Sequence, residues 1–62
     1  MRVGSIVRRS NAENPKWIGM TGIATKEYKN GEDETVFIVL WSNGVVGRGW
    51  RHDSWCMEVL CE

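Results

Sequence analysis

The chain has 62 residues, with eight Lys and Arg balanced by eight Asp and Glu. A chain this short makes one domain that buries only about 60% of its unfolded surface, which excludes a second domain or a deep pocket. Charge balance argues against unspecific attraction to DNA or an anionic membrane, because no overall basic field exists. The longest apolar run, Val36 to Trp41, is too short to span a bilayer. The opening Met1-Arg2-Val3-Gly4 lacks the apolar stretch of a secretory signal, so the expected location is cytoplasmic, of a cell or of a phage's host.

Arg2 to Arg9 reads as a first strand, with Gly4-Ser5 a bulge or bend. Ser10 to Lys16 follows as an irregular polar loop rich in turn formers, and Pro15 lacks the amide that a ladder needs. A second strand is predicted from about Ile18 to Tyr28, with Gly19 and Gly22 marking a bulge or a close approach. Asn30-Gly31 makes the next turn and carries the acidic trio Glu32, Asp33 and Glu34.

The segment Val36 to Trp50 organises the rest. Its apolar run, a tight turn at Ser42, Asn43 and Gly44, and a second run beginning at Val45 are a strong hairpin signal, since Asn and Gly accept positive φ. Gly47 and Gly49 permit local twist before Trp50. Asp53 and Ser54 suit a single 3₁₀ turn before a fifth strand over about Cys56 to Leu60. Cys56 and Cys61 would lie about 16 Å apart on that strand and point to opposite faces, which predicts two reduced thiols rather than a disulfide. No repeat, heptad, amphipathic helix or linker divides the chain.

The expected fold is therefore all-β, five short strands in a single domain over residues 1–62. The element order resembles the SH3-like small barrel with a 3₁₀ turn before its last strand, and within it the branch of KOW motifs and Tudor-like domains. Val3-Gly4-Ser5-Ile6-Val7, Gly19-Met20-Thr21-Gly22-Ile23, Trp41-Ser42-Asn43-Gly44 and Met57-Glu58-Val59-Leu60 carry the resemblance. The chain departs from ribosomal and elongation-factor KOW domains in its neutral charge, and in Met20 where they often carry Lys. The resemblance also implies that the first long loop and the segment before the last strand border one ligand groove, where Trp17, Trp50 and Trp55 would meet, with Tyr28 nearby. Alternatively, Trp50 or Trp55 plugs an end of the barrel.

Two functions from different classes follow. In the first, the chain is a non-catalytic KOW-like module binding single-stranded nucleic acid or a nucleoprotein assembly as an accessory factor. Arg8, Arg9, Lys16, Arg48 and Arg51 would hold phosphates while Trp17, Trp50 and Trp55 stack on bases. In the second, it is a protein-interaction module or homodimer. Strand parity puts Phe37, Val39 and Trp41 on one face and Val36, Ile38 and Leu40 on the other. The family pattern turns the first set inward, leaving Val36, Ile38 and Leu40 as an outer apolar interface, unless bending lets one strand feed the core from both faces. His52, Asp53, Cys56 and Cys61 have poor spacing for zinc and no cleft for a Cys-His nucleophile. No metal, cofactor or enzymatic activity is expected.

Overall fold

The computed structural model of the protein describes residues 1–51 and 56–61. Its strands are β1 (Ile6–Arg9), β2 (Thr21–Lys29), β3 (Thr35–Trp41), β4 (Val46–Arg51) and β5 (Met57–Cys61). All five are antiparallel to their neighbours in one sheet of order β4-β3-β2-β1-β5. The ladder is open, with β4 and β5 at its edges. Among the described residues no helix is long and apolar enough to cross a membrane.

The first two strands start later than their composition predicts, for local reasons. Gly4 sits at φ +96°, and the Arg2 amide donates to Ser5 Oγ at 2.8 Å, so residues 2–5 close a turn instead of extending β1. Between β1 and β2, in the segment expected to be irregular, Pro15–Trp17 forms the one 3₁₀ turn among the described residues. Pro15 occupies a first-turn position where its missing N–H costs nothing, and Asn14 caps the turn by accepting from the Lys16 amide at 3.1 Å. Ile18 and Met20 then donate to Pro15 and Trp17 carbonyls, which holds β2 back to Thr21. The 3₁₀ turn expected at Asp53 and Ser54 lies outside the described residues.

The two Asn-Gly turns are built differently. At Trp41–Val45 the chain makes a three-residue loop closed by paired backbone bonds, with Gly44 at φ +86° where a side chain would be strained. At residues 30–34 the positive φ falls on Asp33, not on Gly31. Here Asn30 Oδ1 accepts from both Glu32 and Glu34 amides, at 2.8 and 3.0 Å, so a side chain does the organising that the dipeptide was expected to do.

Bulges bend the sheet at one level. Thr25 is the extra residue of β2 opposite β3, and its hydroxyl donates to the Ile38 carbonyl at 3.2 Å. On the other side of β3, Phe37 and Val39 pair with Trp50 and Gly47, so β4 carries an extra residue there, accommodated by Gly49 at φ +79°. Both irregularities flank Ile38. Extra residues increase local bend and twist, and beyond this bend the simple parity of β3 fails.

Val36 is the consequence. It is 1% exposed, as deeply buried as its neighbour Phe37. The expectation of an outward Val36-Ile38-Leu40 face is thus corrected: Val36 is core, Ile38 is half-buried, and Leu40 is exposed. Val7, Val39, Trp41 and Met57 form the central cluster, with Met1, Met20 and Trp50 packed against it.

Candidate functional site

Adjacent residues of β1 alternate between faces, and this separates Arg8 from Arg9. Arg8 points outward and pairs with Glu58. Arg9 points inward, and its backbone is strapped to the 3₁₀ segment: its amide donates to the Met20 carbonyl at 2.8 Å, and its carbonyl accepts from Gly19 at 2.7 Å. The strap carries Trp17 over the Arg9 side chain.

The result is one cation among three indole rings. The Arg9 guanidinium carbon lies 4.8 Å from the Trp50 ring centroid, 5.5 Å from Trp41 and 5.7 Å from Trp17. Trp41 and Trp50 meet edge to face, 5.2 Å between centroids at 70°. Each cation–π contact contributes about 0.5–2 kcal/mol depending on desolvation. These contacts offset a cost, because Arg9 Nε is buried without a hydrogen-bond partner among the described residues.

A groove of about 140 Å³ opens beside this cluster, lined by Arg9, Trp17, Met20, Asn43, Gly47 and Trp50 among others. Trp17 is 45% exposed at its rim. Gly47 is required by space: a Cβ there would come within 2.5 Å of Trp50 Nε1 and 2.9 Å of Trp41 Nε1. Among the described residues the polar side chains that line the groove are those of Arg9, Asn43 and the three indoles, and guanidinium and indole nitrogens donate only. The Asn43 oxygen is engaged by the Val45 amide at 3.1 Å.

The predicted basic cluster is thereby divided. Arg9, Trp17 and Trp50 come together, and Lys16 is exposed on the same 3₁₀ turn as Trp17. Arg51 bridges Glu34 at 3.0 Å, Arg8 is drawn to Glu58, and Arg48 is exposed and is not among the residues lining the groove. Tyr28 stands opposite Val36 and does not line the groove. Trp55, like His52 and Asp53, lies outside the described residues. Parity and composition missed Trp41, Asn43, Met20 and Gly47 as parts of the site. Gly47 carried the one legible signal, a residue without a side chain between two strand residues near a Trp.

The outward face carries a second feature. Ile6 pairs with Ile23 and Cys61, Ile23 with Leu40, and Leu40 with Val46. These five residues, all exposed, form a row crossing every strand of the sheet. Arg48 and the Arg8–Glu58 pair flank it. Cys61 at its end carries a free thiol, and Cys56 and Cys61 form no disulfide with each other. Among the described residues no cluster of three or more His, Cys, Asp or Glu is placed to hold a metal ion.

Fold and site define a small all-β protein with a groove beside an arginine–tryptophan cluster on one face and an apolar row on the other. No protein-family model, no curated protein and no solved structure matches the chain.

Proposed function

We propose that the protein is a non-catalytic small-barrel binding module of KOW-like type that holds single-stranded nucleic acid, alone or within a nucleoprotein assembly as an accessory factor. The observation that carries this is the Arg9 guanidinium set against Trp17, Trp41 and Trp50 beside an open groove. A cation and a partly exposed indole side by side suit a phosphate and a base, and stacking accepts any base because every base has a flat face. The strand order, with the long β2 bent at Thr25 and shared between β1 and β3, supports the SH3-like barrel on which the resemblance rests. Net neutrality sets the expected character of binding: local, modest in affinity and salt-dependent.

The test is an amide NMR titration with a mixed-sequence single-stranded oligonucleotide at low salt and at about 0.2 M, where screening strips phosphate contacts. Shifts confined to Arg9, Lys16, Trp17, Asn43, Gly47 and Trp50 that fade with salt are expected. No shift at high micromolar oligonucleotide overturns the proposal.

A second function is favoured by the cross-sheet row of Ile6, Ile23, Leu40 and Val46. Contiguous exposed apolar surface is a usual mark of protein contact, so a partner protein or a second copy of the chain would cover it. Equilibrium sedimentation at high micromolar concentration tests the second copy, and a clean monomer of 7.1 kDa removes it.

A further inference from the structure

Resting on the nucleic-acid reading above, we propose that the groove is a seat for one backbone phosphate, with the neighbouring base stacked on Trp17 outside it. Four observations converge. Arg9 is among the residues lining the groove, and its guanidinium carries a positive charge and can only donate. The indole nitrogens of Trp41 and Trp50 both lie against Gly47, where a Cβ would come within 2.9 Å of each, and an indole N–H donates only. Asn43 accepts from the Val45 amide through its oxygen, and its amide nitrogen is a further donor beside the groove. No carboxylate is among the described residues that line the groove.

A pocket with one guanidinium, several neutral donors and apolar walls selects an acceptor that carries negative charge, and charge-assisted hydrogen bonds are the stronger class. The small volume admits a compact group and keeps a base with its sugar at the rim, where Trp17 is exposed. The positive charge is held in place by the three rings, so the seat is preorganised and little ordering is required on binding. One chain thus engages one phosphate strongly, while the remaining basic residues contribute diffuse attraction. This explains how a protein of zero net charge would bind a polyanion locally.

The experiment measures affinity for a short oligothymidylate against salt, for the unmodified protein and for Arg9→Gln. Each phosphate neutralised on a single strand contributes about 0.7 to the slope of log K on log salt, so Arg9→Gln is expected to lower the slope by about 0.7. Trp17→Ala should weaken binding with the slope unchanged. In parallel, the dinucleotide TpT and its neutral methylphosphonate counterpart, each offering the seat a single linkage, are titrated into the unmodified protein, which decides the matter even if Arg9→Gln does not fold. The neutral linkage should cost about tenfold or more, the scale of a lost charge-assisted bond. Equal slopes, or equal affinity for the two dinucleotides while the oligothymidylate binds, overturn the phosphate seat and leave the nucleic-acid proposal standing. Absence of binding by the oligothymidylate overturns both.

Discussion

The two faces of this sheet are built from the same strands and differ in what they ask of their side chains. On the inner face Val7, Val39 and Trp41 are packed out of water, and Arg9 is held there by indole rings instead of a carboxylate. On the outer face Ile6, Ile23, Leu40 and Val46 line up with no cover among the described residues. Arg8 and Arg9 show the contrast most sharply: they are neighbours in the chain, yet one joins Glu58 at the surface and the other fills an aromatic cage. In so small a domain the inner face must supply nearly all the stability, which leaves the outer face available for association.

That contrast makes graded predictions. The largest effect belongs to Val39→Ala: Val39 is 0% exposed, and losing two methyl groups plus leaving a cavity costs about 2–3 kcal/mol. Urea unfolding followed by Trp fluorescence would read this as a midpoint shifted far toward zero denaturant, and an unchanged midpoint would show that the inner face does not carry the fold.

Gly47→Ala comes next, since its Cβ would collide with Trp50 and Trp41 nitrogens, an overpacking cost of about 1–3 kcal/mol. Gly44→Ala is its counterpart. There a Cβ meets nothing within 4 Å but φ is +86°, so the cost is conformational, about 1–2 kcal/mol. Tryptophan emission separates the two, with the indole environment altered by Gly47→Ala and preserved by Gly44→Ala.

The arginine pair gives a smaller split. Arg9→Gln removes three cation–π contacts and is expected to cost about 1–2 kcal/mol. Arg8→Gln breaks an exposed pair and should cost less than about 1 kcal/mol. Equal costs in the same urea experiment would erase the distinction between the faces.

The smallest effect on stability is Leu40→Ser. Leu40 is 42% exposed, and a surface change of this kind stays within about 0.5 kcal/mol. Any self-association seen by sedimentation should nevertheless weaken, because the substitution interrupts the apolar row at its centre.

Much of the fold was legible before any coordinates. Five strands, their order along the chain and the Ser42-Asn43-Gly44 turn follow from composition, alternation and glycine placement, all of which act within a few residues. The site was half legible. Arg9, Trp17 and Trp50 stood out as residue types, but nothing in their spacing distinguished Arg9 from Arg8, Arg48 or Arg51. Val36, Ile38 and Leu40 were grouped by strict alternation, and the grouping failed at Val36.

The sequence by itself determined where strands and turns form, because turn chemistry and strand preference are local. Only the tertiary structure decided which arginine enters the aromatic cluster and which apolar residues share a surface. Those outcomes depend on register between strands distant in the chain and on the extra residues at Thr25, Gly49 and Leu60. One inserted residue turns every following side chain to the other face of its strand, and no alternation pattern within a single strand records where its partner places that residue.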